Sequence, residues 1–483
     1  MTKTDREIES LVRTYYKARE RLLKIITNPS TGVGTKTYYT EILRGLQREL
    51  GGLKEKTDGF VQTVIPSEYR ASLKDTVQHF KRHNLRMDAP ANFASIHTDA
   101  LYTIMRDMQY RTDDALATVG RKVTNQLDDA LNQTLRRAGL EQTALKTASG
   151  GTVRDMQRAL AEQLERDGFM TIDYGAAPNI RRVPIDAYAA MTARSTTREA
   201  GNTARIVQLS ENGYDLVKLT EHFPTCKVCA AAQGRVYSIS GTDTRFPPLS
   251  KIFGAYNNVH PNCRHVATPW IESMMTPSEV YEARQQSGRP WKDSRNAGEI
   301  ALYKAQQDKA RRSRENVYQY ERYKSVLGAD APKTLQTFMR LKNADGDKWD
   351  KTQLDYRRRN RAIRDPKLLP TNADKAYSKP EKFTNYFFGG ENKGGLSKGL
   401  AFSSHLGYNI NNWEQMRDEI TSKARLFPAK IHKKTSQGTD LYNQSMTLYG
   451  VKNNPMDVIV TWEAESDKLK FVTAVPNNKG VET

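Results

Sequence analysis

Three cysteines constrain this chain more than any other feature. Cys226, Cys229 and Cys263 all fall in one short window of a 483-residue sequence that has no others. An odd count argues against a disulfide framework. The opening Met1-Thr2-Lys3-Thr4-Asp5-Arg6-Glu7 lacks the apolar core of a secretory signal, which points to folding in a cytoplasm. The spacing is that of a metal site. Cys226-Lys227-Val228-Cys229 places two thiolates at the end of a strand, and His260-Pro261-Asn262-Cys263-Arg264-His265 returns a third thiolate with histidines beside it. Cys-x-His and His-x-x-Cys spacings can each reach one metal. The fourth ligand is therefore His265, the preferred reading, or His260, and the other histidine orients the loop. A closed thiolate-rich shell keeps no position for water, so a zinc ion (Zn2+) held here is structural. Two short strands, 214–219 and 234–238, bury too little apolar area alone, and the metal would supply their folding energy. The competing readings are three reduced cysteines without metal and a redox Cys-x-x-Cys. The latter lacks the βαβ pattern of a thioredoxin-like motif.

Helical periodicity dominates elsewhere. Leu11, Tyr15, Leu22 and Ile25 recur at helical spacing, with a break at Asn28-Pro29-Ser30-Thr31-Gly32. A helix is predicted over 38–50, stopped by Gly51-Gly52, with a turn-rich stretch over 54–66. Between 99 and 138, Leu101, Ile104, Met105, Met108, Ala115, Val119, Val123, Leu127, Leu131 and Leu135 form one amphipathic stripe ended by Gly139. Unbroken, it spans roughly 55–60 Å and calls for partner helices or copies of itself. The alternative is two bundle helices broken near Arg111-Thr112-Asp113. Helices are also predicted over 153–167 and 184–212, with 171–183 irregular and Gly213 as a C-cap. Residues 277–345 read as helical and 345–380 as a charged linker. No run of about 18 apolar residues occurs, which excludes a transmembrane helix and membrane partners.

Charge adds a third constraint. The chain carries 75 Lys and Arg against 55 Asp and Glu, a net +20. Half of that surplus lies in residues 281–370, which hold 22 Lys and Arg against 12 Asp and Glu. Such a surplus suits a polyanion, most often nucleic acid, with Arg311, Arg312, Arg314, Arg357, Arg358 and Arg359 as the candidate contacts and the tyrosines of 318–324 for stacking. No helix-turn-helix or RNA-recognition motif accompanies them, so binding would be sequence-independent and salt-sensitive. A solvated basic helix is the alternative.

The run Thr197-Arg198-Glu199-Ala200, then Asn212-Gly213-Tyr214-Asp215, the Cys226-x-x-Cys229 pair, Gln233-Gly234-Arg235-Val236-Tyr237-Ser238, Arg245-Phe246-Pro247-Pro248 and the 260–265 segment resembles the phage minor capsid protein family of Gram-positive phages, related to MuF-like head morphogenesis proteins. The resemblance covers about residues 1–345, and Tyr320-Glu321-Arg322-Tyr323-Lys324 also fits it. It implies a virion protein at the capsid interior or portal vertex, assembled in the host bacterial cytoplasm with the portal and other capsid or scaffold proteins. The wider group often has cysteine where this chain has His265, which supports His265 as a ligand.

Residues 381–483 change character, with aromatic residues, strand-like runs at 458–462 and 469–475, and near-neutral charge. Phe383-Thr384-Asn385-Tyr386, the 393–399 glycine-rich segment and Phe471-Val472-Thr473-Ala474-Val475-Pro476 are similar to small toxin-like domains with a barnase- or RelE-like ribonuclease fold. That resemblance implies an RNA substrate and an immunity protein as partners. A ribonuclease needs a base and a cation for the developing phosphorane charge. His405 and His432 are the base or acid candidates, Lys393 and Lys398 the cations, and Thr473 a phosphate contact. Each also has a plain structural reading, as a helix cap or a solvated basic face. The expected fold is mainly α through the N-terminal and middle regions with a small zinc-knuckle β-hairpin, and a separate C-terminal α+β domain. The expected boundaries are 1–182 (helical capsid region), 183–275 (knuckle), 276–370 (basic helices and linker) and 371–483 (toxin-like domain). Three functions follow: head morphogenesis, carriage of a toxin domain in the particle, or sequence-independent nucleic-acid binding.

Overall fold

Buried side chains recurring every three or four residues build the first half of the chain from four long helices: α1 (Lys3–Thr27), α2 (Thr35–Arg82), α3 (Ser95–Glu141) and α4 (Ile185–Glu211). The computed structural model describes the chain apart from residues 1, 28–33, 88–94, 142–155, 158, 161–162, 164–167, 176, 179, 255, 391–392, 437 and 478–483. It divides into two units, residues 1–22, 44–124 and 169–313, and residues 23–43, 125–168 and 314–483.

In the first unit, side-chain hydrogen bonds fix the helix register. Thr4 pairs with Glu68, Tyr15 with Thr57 at 2.7 Å, and Arg21 with Glu49, so α1 runs antiparallel to α2. Gln109 bonds Asp58 and His97 bonds Tyr69, so α3 runs antiparallel to α2. Arg111 bonds Thr196 at 3.1 Å and His97 bonds Gln208 at 3.2 Å, which sets α4 antiparallel to α3.

Two sequence expectations fail here for one reason. Gly51-Gly52 does not stop α2, and 54–66 is not turn-rich, because one helix runs through both and through Pro66. Glycine costs about 1 kcal/mol and proline about 3 kcal/mol in a helix interior. Leu53, Phe60, Val61, Val64 and Ile65 are all buried, and each contributes about 1.5–3 kcal/mol, so packing wins. The stripe over 99–138 is likewise one helix, continuous through Thr112, whose hydroxyl bonds the Met108 carbonyl at 2.9 Å. The helix expected over 153–167 and the break at 28–32 lie largely outside the described residues. Residues 171–183 are not irregular. Strand β1 (Thr171–Tyr174) pairs antiparallel with β2 (Arg181–Pro184), a ribbon too short to show an alternating pattern.

Glu199 is buried on α4, and burial pushes its carboxyl up to about 8. A carboxyl raised on folding stabilises the fold fully below its ordinary range, and that stability is lost as pH climbs toward 8. Glu199→Gln is therefore expected to gain on the order of 2–4 kcal/mol at about pH 9 and nothing near pH 4. Denaturant unfolding at both pH values measures this, and an equal effect at the two would refute it.

After α4, Gly213 at φ +76° turns the chain into a small antiparallel sheet. Strand β3 (Leu216–Leu219) lies between β4 (Val236–Ser238) and β5 (Ala267–Pro269). The hairpin expected from the sequence is present, and β5 adds a third strand on the far edge of β3. Val217, Leu219, Tyr237 and Ala267 pack against Phe80 of α2 and Leu209 of α4. A short helix α5 (Lys227–Ala232) separates β3 from β4; α6 (Pro277–Gly288) and α7 (Ala297–Leu327) follow the sheet.

In the second unit, α8 (Leu335–Ala344) and α9 (Asp347–Arg364) follow. The linker expected over 345–380 is thus largely helix. Its buried stripe is Trp349, Thr352, Asp355, Arg358, Arg359 and Ala362, a mostly polar set that hides its amphipathicity. Tyr320 and Tyr323 are buried against Phe338 and Trp349 rather than free to stack on nucleic acid. The C-terminal sheet has order β6-β10-β9-β8-β7, from β6 (Ala376–Tyr377), β7 (Lys430–Lys434), β8 (Asp440–Leu448), β9 (Met456–Ala464) and β10 (Leu469–Pro476). α10 (Lys393–Leu406) and α11 (Trp413–Lys423) cover it, with Phe402, Leu406, Met416 and Ile420 packed on Val460, Trp462 and Phe471. The α+β character expected for this part is present. Among the described residues, no helix is long and apolar enough to cross a membrane.

Candidate metal centre

Cys226 caps the N-terminus of α5, its sulfur accepting from the Cys229 backbone N–H at 3.4 Å. One helical turn then brings Cys229 to the same side. The 257–265 loop supplies the rest, and α4 holds that loop in place. Asn202 donates to the Asn257 carbonyl at 2.9 Å and accepts from the Ala267 N–H at 3.1 Å. Ser195 accepts from the Asn262 N–H at 3.0 Å through its hydroxyl, and from Asn258 through its carbonyl.

These contacts bring five donor atoms together. His260 Nε2 lies 3.3 Å from Cys226 Sγ and 3.1 Å from Cys229 Sγ. Cys229 Sγ lies 3.9 Å from Cys263 Sγ, and Cys263 Sγ lies 3.4 Å from His265 Nδ1. With metal–sulfur bonds of about 2.3 Å and metal–nitrogen bonds of about 2.0 Å, a tetrahedron places sulfurs about 3.8 Å apart and sulfur about 3.5 Å from nitrogen. Each neighbouring spacing is close to that of such a shell, and Cys229 joins the donors into one chain. Two overlapping groups satisfy the distances, Cys226, Cys229 and His260, and Cys229, Cys263 and His265.

Hydrogen bonds outside the cluster set which ring nitrogen each histidine offers. The Gln233 side-chain oxygen accepts from the His222 N–H at 3.1 Å and lies 2.9 Å from His265 Nε2. Nε2 must then carry the proton, and the Nδ1 lone pair faces Cys263. His260 Nδ1 donates to the Pro261 carbonyl at 2.8 Å, which leaves Nε2 toward the two sulfurs. The cluster also shares protons. The Cys229 thiol, bonded to both neighbours, holds Cys226 down to about 3 and Cys263 to about 4, while its own acidity is pushed far in the weak direction. The Cys226 sulfur raises His260 to about 9. Thiolates held next to donors are the state a metal ion takes over by displacing protons.

Sequence reasoning missed Gln233, Ser195 and Asn202. Only Gln233 left a trace, inside the Gln233-Gly234-Arg235 motif; a serine and an asparagine on a helix read as solvated. Arg235 was also missed. It is fully buried, with its guanidinium donating to the Ser287, Arg289 and Pro290 carbonyls.

The other candidate residues are dispersed. Arg358 and Arg359 are buried and correct the nucleic-acid expectation, because they pair with Asp457 and with Asp355 and Asp330. Arg311, Arg312, Arg314 and Arg357 are exposed. In the C-terminal domain, Lys398 Nζ donates to Thr473 Oγ1 at 3.2 Å and to the Tyr386 hydroxyl at 3.1 Å. His405 lies instead at Asn454 and Pro455, His432 on the exposed strand β7, and Lys393 is exposed at the start of α10. Among the described residues, no hydrogen bond joins either histidine to Lys398.

Fold and site together define a mainly helical protein with a largely buried cysteine–histidine cluster beside its central sheet, followed along the chain by an α+β domain. Residues 38–365 match the family model for phage minor capsid protein 2, and the chain belongs to that family. Residues 368–478 match a domain of unknown function, DUF6883. No curated protein and no solved structure matches the chain.

Proposed function

We propose that this minor capsid protein acts in head morphogenesis at the portal vertex, and that Cys226, Cys229, Cys263 and His260 hold one structural zinc ion. The family match over 38–365 carries the first part. It favours partners among the portal and other capsid or scaffold proteins. The exposed Arg311, Arg312, Arg314 and Arg357 suit contact with packaged DNA. Mass spectrometry of purified heads tests the placement. The protein should be present in substoichiometric amounts and remain with portal-containing subassemblies, and its absence from intact particles would refute the reading.

The sulfur–nitrogen spacing carries the second part. His260 is favoured over His265 because its Nε2 meets two sulfurs, whereas His265 Nδ1 meets one. Purified protein should contain one zinc per chain. His260→Ala should lose it, while His265→Ala should keep it with affinity weakened by about 10–100-fold, the usual effect of losing an orienting partner. Loss in His265→Ala alone would reverse the assignment, and metal-free reduced wild type would end it.

A further inference from the structure

We propose that Lys398, Tyr386 and Thr473 form a phosphate-binding site in the C-terminal domain, with Lys382 as a second cation. Three irregularities of the fold converge on it. Tyr386 stands on a single-turn π-helix (Lys382–Phe387), in which the Phe388 N–H reaches the Phe383 carbonyl five residues back at 3.0 Å. Such turns cost hydrogen-bond geometry and recur at functional sites. Lys398 stands on α10 between Gly395 and Gly399, and a Cβ at either glycine would overlap the Tyr386 or Phe387 carbonyl oxygen. The glycines let the π-turn backbone lie directly on α10, which fixes the phenol at the ammonium. Thr473 stands at a bulge in β10, where pairing with β9 slips between Phe471 and Thr473. Bulges re-aim side chains, and Phe471 and Ala474, three residues apart, are both core residues here.

The electrostatics point the same way. The Lys398 ammonium has three donors, and its two hydrogen-bond acceptors are neutral hydroxyls. Among the described residues no carboxylate lies within 4.0 Å of Lys398 or Lys382. Two other half-buried or buried lysines of this domain, Lys423 and Lys470, are paired with Glu419 and Glu463. Lys382 and Lys398 lie 5.8 Å and 5.4 Å from the Tyr386 ring centre. Two cations with no carboxylate partner among the described residues, beside two hydroxyl groups that can donate, suit a dianionic tetrahedral oxyanion better than a single carboxylate. The group is half-buried and so reachable from solvent.

The test is phosphorus NMR line broadening on the full chain at physiological salt, with inorganic phosphate in one arm and a short single-stranded oligonucleotide in the other. Lys398→Met, Tyr386→Phe and Thr473→Val are compared with wild type, and Lys433→Met, on exposed β7, controls for general charge. Lys398→Met should weaken binding of at least one probe about tenfold. Tyr386→Phe should weaken it less, and Lys433→Met should leave inorganic phosphate binding unchanged. The arm whose binding Lys398→Met weakens identifies the source as free phosphate or a nucleic-acid strand. Tyr386→Phe keeps the packed ring, so its effect stands even where Lys398→Met perturbs folding. Failure of both probes to bind, or binding that all three variants leave unchanged, overturns the proposal.

Discussion

Stripping the metal, or replacing Cys229 by serine, is expected to unfold the central sheet while the C-terminal sheet stays folded. β3, β4 and β5 are three or four residues each, and isolated ribbons of that length are marginal in water. Structural zinc contributes about 10–16 kcal/mol of apparent folding free energy in small zinc modules. Packing on Phe80 and Leu209 reduces the share needed here, but several kcal/mol would still be lost. Cys229 is the most damaging position because it belongs to both donor groups and is buried. Hydrogen exchange reads the result. Residues 214–270 should lose protection in metal-free protein and in Cys229→Ser, while residues 440–476 keep theirs. Unchanged protection over 214–270 after verified metal removal would show that apolar packing alone holds the sheet.

The cysteine–histidine cluster was legible because cysteine is rare in this chain and its spacing carries chemistry directly. Their support was not, because Ser195, Asn202 and Gln233 act through tertiary contacts that no local pattern announces. Helix existence was legible where apolar residues repeat, as over 99–138, and illegible where glycine and proline spoke against a helix that burial enforces, as in α2. Arg357-Arg358-Arg359 shows the limit most sharply. Adjacent arginines look equivalent in sequence, yet on α9 they point to different surroundings, Arg357 to solvent and the other two to buried carboxylates. The Lys398 group was half legible: Lys398 and Thr473 stood out, and Tyr386 did not, because nothing local signals a π-turn.

Arg359→Ala is expected to destabilise the C-terminal unit by about 3–5 kcal/mol, whereas Arg357→Ala, two residues away on the exposed face, stays within about 0.5 kcal/mol. Arg359 bonds Asp355 at 2.6 Å and the Leu327 carbonyl at 3.2 Å, and also pairs with Asp330. Asp355 is fully buried, accepts from the Tyr449 hydroxyl at 2.8 Å, and has its carboxyl pushed up by burial. Without Arg359 that carboxylate keeps its desolvation cost and loses its partner, which is why breaking a buried pair costs more than the pair is worth. Arg358 repeats the arrangement with Asp457 of β9. Both bonds to the C-terminal sheet and its following loop start from α9, which lies inside the minor capsid match, and end inside DUF6883. The boundary between the two families therefore is not a boundary in packing: α9 completes the domain that follows it. Denaturant unfolding of the two variants measures the difference. Equal, small effects would show that α9 is a passive tether, and the C-terminal domain would then be separable at residue 368.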